Sequence, residues 1–137
     1  MSGSAAATSG EIGGVVVRIG SARAFVPACV AMKVLPMPVV ARVPGGPPDL
    51  VGVALVEGEM VPVVAIVDLV PARGQRDNRP MLVCAHGGER VGLVGLEVLA
   101  TGRFPGNEHA IEWQGETVAV LDVGPVVARL KEGRWAV

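Results

Sequence analysis

Short valine-rich runs separated by polar breaks set the pattern of this chain. The runs are Gly14-Val15-Val16-Val17-Arg18-Ile19, Ala24-Phe25-Val26-Pro27, Gly52-Val53-Ala54-Leu55-Val56, Val61-Pro62-Val63-Val64-Ala65-Ile66-Val67, Pro80-Met81-Leu82-Val83-Cys84-Ala85, Arg90-Val91-Gly92-Leu93-Val94-Gly95-Leu96, Ala110-Ile111-Glu112-Trp113 and Val118-Ala119-Val120-Leu121-Asp122. β-Branched residues suit a pleated surface, so each run predicts a strand. The breaks recur as Gly58-Glu59, Gly88-Glu89 and Gly115-Glu116, each followed closely by a valine. Glycine supplies the positive φ of a tight hairpin, and the glutamate keeps the tip in water. Three antiparallel hairpins are therefore expected, with Val98 to Ala100 extending the second. Ala28 to Leu35 fits a helical turn through Ala28, Ala31 and Met32, or a strand through Val30 and Val34; period does not separate the two. Pro62 has no backbone donor and is expected at the start of its strand or on an edge. Pro125 to Lys131 predicts a short terminal helix, with proline in the first turn and Val126, Val127 and Leu130 at helical spacing.

Between these elements the text turns polar or proline-rich. Residues 1–10 lack a basic start and an apolar stretch, so they read as a disordered tail and not a secretory signal. Pro36-Met37-Pro38 and Pro44-Gly45-Gly46-Pro47-Pro48 read as surface connections. Residues 73–79, Arg73-Gly74-Gln75-Arg76-Asp77-Asn78-Arg79, read as a linker between two lobes. The first and third hairpins are each followed by aspartate (Asp68, Asp122), an apolar segment and arginine (Arg73, Arg129), a weak internal duplication. Residues 11–137 are thus expected to form a single domain of two β lobes: one over 21–72, the other over 11–20 plus 80–137.

Composition narrows the function. A chain of 137 residues supports one domain or two small lobes sharing a core. Its 19 glycines and 11 prolines argue against long helices. A net charge of −1 offers no basic field, and four aromatic residues (Phe25, Phe104, Trp113, Trp135) offer no stacking platform, so nucleic acid is not an expected partner. No apolar run reaches the ~18 residues of a membrane helix, and no membrane insertion is expected. Cys29 and Cys84 are both expected as buried, reduced thiols of a cytoplasmic chain, since two cysteines make no disulfide framework.

Candidate chemistry is sparse. Cys84 and His86 could begin a metal site, but only Cys29 and His109 remain to complete one, and structural zinc wants four ligands at recognisable spacing. His86 at a hairpin tip reads as solvated. Asp68 and Asp122 follow core strands, where aspartate caps a turn or helix more often than it works in a catalytic pair. Pro44 to Pro47 lacks the lysine and hydroxyl of a phosphate-binding loop, and proline removes amide donors. The serines Ser2, Ser4, Ser9 and Ser21 all lie near the start, so no serine–histidine nucleophile is expected. No catalytic residue, cofactor or metal is expected, and the protein is read as not an enzyme.

Phe25-Val26-Pro27-Ala28, Val43-Pro44-Gly45-Gly46-Pro47-Pro48, Val51-Gly52-Val53-Ala54-Leu55-Val56-Glu57-Gly58, Val61-Pro62-Val63-Val64, Arg90-Val91-Gly92-Leu93-Val94 and Leu121-Asp122 stand in the order of the CheW-like domain of bacterial chemotaxis. The chain resembles that family over about four-fifths of its length, most specifically from Pro44 to Val64. The resemblance implies a mostly β fold of two small five-stranded β-barrel lobes with a short C-terminal helix. It implies a cytoplasmic, non-enzymatic adaptor, recruited to membrane-bound receptor arrays, coupling a methyl-accepting chemoreceptor to a CheA-type histidine kinase. It implies a protein-binding face that includes Ala31, Lys33 and Glu57, with Val51 and Val61 as apolar neighbours. Several positions depart from the family. Glu57 stands where the family has arginine; Ala31 and Lys33 stand where it usually has valine and an acidic residue; Leu96 replaces an aspartate. The Gly102 to Ala110 connection shortens the second lobe. Reversing a contact charge can redirect partner choice, so a divergent module with another signalling partner is the second reading. A small β-barrel enzyme or ligand carrier is the third, and it requires a pocket with convergent polar groups.

Overall fold

The computed structural model describes residues 10–42, 50–65 and 80–132, with positions 129, 131 and 132 described as backbone only. Eleven strands and one helix make up these residues: β1 Glu11–Ile19, β2 Ala22–Pro27, β3 Ala31–Leu35, β4 Val40–Ala41, β5 Leu50–Val56, β6 Glu59–Ala65, β7 Met81–His86, β8 Glu89–Val94, β9 Leu96–Pro105, β10 Ala110–Trp113, β11 Glu116–Ala119 and α1 Gly124–Glu132. The mostly β class and the short helix agree with the sequence pattern. Residues 43–49 and 66–79 lie outside the described residues, and with them the proline cluster, the linker and Asp68.

All three expected hairpins form. β5 pairs β6, β7 pairs β8 and β10 pairs β11, each antiparallel across a two-residue tip. Both tip residues have positive φ each time: Glu57 and Gly58 at 50° and 84°, Gly87 and Gly88 at 57° and 83°, Gln114 and Gly115 at 52° and 75°. That is the turn whose twist matches the flanking strands. Ala28 to Leu35 divides into a turn and a strand. Val30 N donates to Pro27 O at 2.9 Å, and β3 begins at Ala31. Cys29 falls in that turn and is exposed, contrary to the expectation of two buried thiols; Cys84, inside β7, is buried. Pro62 lies mid-strand, where β6 pairs with β5 alone: the parallel ladder to β8 covers only Val63 to Ala65. The expected strand from Arg90 to Leu96 breaks at Gly95, where φ is 85°. Leu96 then begins β9, which pairs with the whole of β1.

The strands gather into two lobes. A six-stranded sheet runs β3-β7-β8-β6-β5-β4. Laid flat, six strands would hold β3 and β4 ~24 Å apart. The residues from Leu35 to Val40 span at most ~18 Å, so the sheet must curl until its edges approach. The remaining strands form a three-stranded sheet β2-β1-β9 and the β10-β11 hairpin. Bridges Phe25↔Val120 and Gly106↔Ile111 join the two pieces. Closure is where the structure departs from the expected barrels: among the described residues neither ladder closes. The pairing also crosses the expected lobe boundary. β2 stays with β1, and β7 and β8 lie between β3 and β6.

Three cores follow. One fills the curl of the six-stranded lobe, with Val56, Val61, Val63, Met81 and Val83. A second fills the other lobe, with Val16, Phe25, Ile111 and Val118. The third lies between the lobes: Val15, Val17 and Val26 from one, Val64, Leu82, Cys84, Val91 and Leu93 from the other, sealed by Val123 and Val127 at the start of α1 and within it. β1 and β7 are therefore buried on both faces, which is why their sequences run apolar without alternation. Asp122 Oδ1 accepts from Gly124 N at 2.9 Å and caps the helix, as expected of an aspartate there.

Candidate protein-docking surface

The β5–β6 hairpin gathers most of the residues expected at a partner. Its tip carries two carboxylates, and each meets a cation from a different strand. Glu57 pairs with Lys33 of β3. Glu59 pairs with Arg90 of β8 at 2.5 Å. The tip is thus pinned from both sides. All four side chains keep at least a third of their surface in water, so each pair adds at most ~1 kcal/mol to stability. Lys33 and Glu57 are the two positions where the resemblance implies a charge of the opposite sign. The structure brings them together: the two departures form one ion pair of reversed polarity, which neither position alone reveals.

The other expected residues separate. Ala31 opposes Cys84 and Lys33 opposes Val83, a register shift that leaves Met32 as the extra residue of a bulge. Cys84 belongs to the interlobe core and Val83 to the core of the curl. Ala31 and Lys33 therefore lie on opposite faces of β3, where a regular strand would have placed them together. Ala31 packs against the interlobe core. Val51 sits at a second bulge, between Leu50↔Val64 and Gly52↔Val63, and is 40% exposed. Val61 is 1% exposed and belongs to the core of the curl, so it is not available to a partner.

Its neighbours are available. Leu55 and Met60 oppose one another across the hairpin and are 66% and 64% exposed. Val53 and Pro62 form the next pair on that face and are half-buried. Met32, Val34 and Val39 add further exposed apolar surface. The Leu55–Met60 pair, next to a tip of paired charges, has the make-up of a protein interface. The sequence pattern does not single out Leu55 and Met60, because alternation marks a strand without saying which face is outward; the two-residue turn fixes only that they oppose.

Among the described residues no three histidine, cysteine, aspartate or glutamate side chains converge on a metal position. No described helix is long and apolar enough to cross a membrane.

The family model for the CheW-like domain matches residues 13–108. No curated protein matches. Among solved structures, the scaffolding protein TtCheW from Thermoanaerobacter tengcongensis superposes with a TM-score of 0.66, covering 84% of this chain and 85% of that one at 13% identity. That likeness shows a shared fold, and the family model covers β1 to β9. On these grounds, the chain belongs to the CheW-like domain family.

Proposed function

We propose that this protein is a non-enzymatic adaptor of bacterial chemosensory signalling that couples a methyl-accepting chemoreceptor to a CheA-type histidine kinase. The observation that carries the reading is the family match over residues 13–108, joined to an exposed apolar hairpin face beside the Lys33–Glu57 pair. The adaptor works in the cytoplasm and reaches the membrane through its receptor. Met60, Leu55 and Val51 supply desolvated contact, and the paired charges at the tip set orientation. Co-purification with the receptor's cytoplasmic tip and with the kinase's regulatory region tests the role. Micromolar binding to at least one of them is expected, and Leu55→Glu with Met60→Glu should weaken it at least tenfold while leaving the circular dichroism spectrum unchanged. Absence of binding to both would reject the role.

The reversed pair supports a second reading, a CheW-like module matched to a different signalling partner. A partner that reads charge at this tip meets lysine on β3 and glutamate on the hairpin. Changing Glu57 alone to arginine would both break the pair and change the reading. The double variant Lys33→Glu/Glu57→Arg keeps a pair and reverses its polarity. Under this reading the double variant loses the native partner. Unchanged affinity would show that the pair only pins the hairpin.

A further inference from the structure

A cleft of about 370 Å³ opens at the seam between the lobes, and none of the residues of the hairpin face line it. Two connections build its floor: Pro27 and Val30 on the passage from β2 to β3, and Val120, Leu121 and Val123 on the passage from β11 to α1. His86 at the end of β7, Glu108 and His109 before β10, and Asp122 form its rim. Two of these four are carboxylates, and neither lysine nor arginine is among the described lining residues. The rim groups are only partly used. Asp122 makes one hydrogen bond, to Gly124 N at 2.9 Å. Among the described residues Glu108 Oε1 reaches only His109 Nε2, at 3.4 Å. The His86 backbone belongs to the β7–β8 ladder, and its imidazole has no hydrogen-bond partner among the described residues. Gly124 keeps the wall open: a Cβ there would stand 3.1 Å from Asp122 Oδ1 and 3.2 Å from His86 Nε2.

We propose that this cleft receives a basic side chain, an arginine before a lysine, from a partner protein. The chemistry is complementary at both ends. An aliphatic stem lies along Pro27, Val30, Val120 and Leu121, as long cationic side chains cover apolar surface while keeping the head polar. The guanidinium meets Asp122 and Glu108 with charge-assisted hydrogen bonds, and its fork addresses two acceptors where an ammonium is a point charge. A metal ion is a poorer occupant, because no three ligands converge. Since His86 comes from one lobe, and Glu108, His109 and Asp122 from the other lobe and the segment before α1, the occupant bridges the seam. The inference needs a protein partner but does not depend on that partner being a receptor or kinase.

The test is a nuclear magnetic resonance titration of the full chain with Nα-acetyl-arginine methylamide, beside its neutral citrulline counterpart and the acetyl-glutamate derivative. The arginine probe should give saturable shifts at His86, His109, Leu121 and Gly124, with a dissociation constant on the order of millimolar for one side chain. The double variant Glu108→Gln/Asp122→Asn keeps shape, and asparagine still caps α1. It should weaken the probe by about tenfold or more, as loss of charge-assisted bonds implies. Equal shifts from citrulline, unchanged binding by the double variant, or preferential binding of the glutamate probe at the start of α1 would each overturn the proposal.

Discussion

Cys84 has no exposed surface, and burial pushes its thiol up from 9.0 to about 12. Above pH 9 an unfolded thiol ionises while the folded one stays protonated. The folded pKa is the higher, so this group's contribution is intact below pH 9 and is lost as pH rises towards 12, to a total of ~4 kcal/mol. Urea denaturation from pH 8 to 11 should show wild type losing stability faster than Cys84→Ala over that window. Equal slopes would mean that the thiol is not shielded. Cys29, exposed in its turn, should react with a thiol reagent at once, and Cys84 only on opening. The sequence could not separate the two, since both stand in apolar text; a turn between two strands decides it. Lys33 and Glu57 show the same limit. Each was legible as a candidate, but their pairing depends on the curl that brings β3 to the hairpin tip. A double-mutant cycle with Lys33→Ala and Glu57→Ala should give a coupling of about 0.5 kcal/mol, the scale of an exposed pair.

Hairpins are the elements the sequence specifies best, because a two-residue turn with positive φ fixes register locally. Bulges are the elements it hides. At β3 and β5 one extra residue shifts the ladder; nothing in Ala31-Met32-Lys33 marks the first, and only the glycine after Val51 hints at the second. Those shifts separate Ala31 from Lys33 and leave Val51 at the bulge on β5. β4 shows how a short element depends on close approach. A Cβ on Gly52 would collide with the Ala41 carbonyl and stand 2.8 Å from Val40 Cγ1. Gly52→Ala should therefore detach β4 at a cost of roughly 2 kcal/mol, read as a lower denaturation midpoint with faster amide exchange at Val53 and Ala54. An unchanged midpoint would show that β4 moves aside without strain.

For the whole molecule, the interlobe core predicts that the two lobes unfold as one cooperative unit. Met81 fills the curl of the six-stranded lobe, whereas Trp113 packs against the core of the other. Met81→Ala should cost about 2–5 kcal/mol. The loss should appear equally in Trp113 fluorescence, in a Trp135→Phe background, and in far-ultraviolet circular dichroism. Two separated transitions would show that the lobes unfold independently. This cooperation is also what the expected lobe boundaries could not foresee. β-Branched composition and glycine-marked turns are local, so the amino-acid sequence by itself determined the strands of the three hairpins, the helix with its aspartate cap and, through ordered motif text, the family, but left β3 open and did not mark β4. Which strands lie side by side is not local. The parallel contact of β6 with β8, the long β1–β9 ladder, the double burial of β1 and β7 and the cleft at the seam between the lobes join residues far apart in the chain. Their energy comes from shared apolar burial between lobes, a quantity that exists only once the chain has folded.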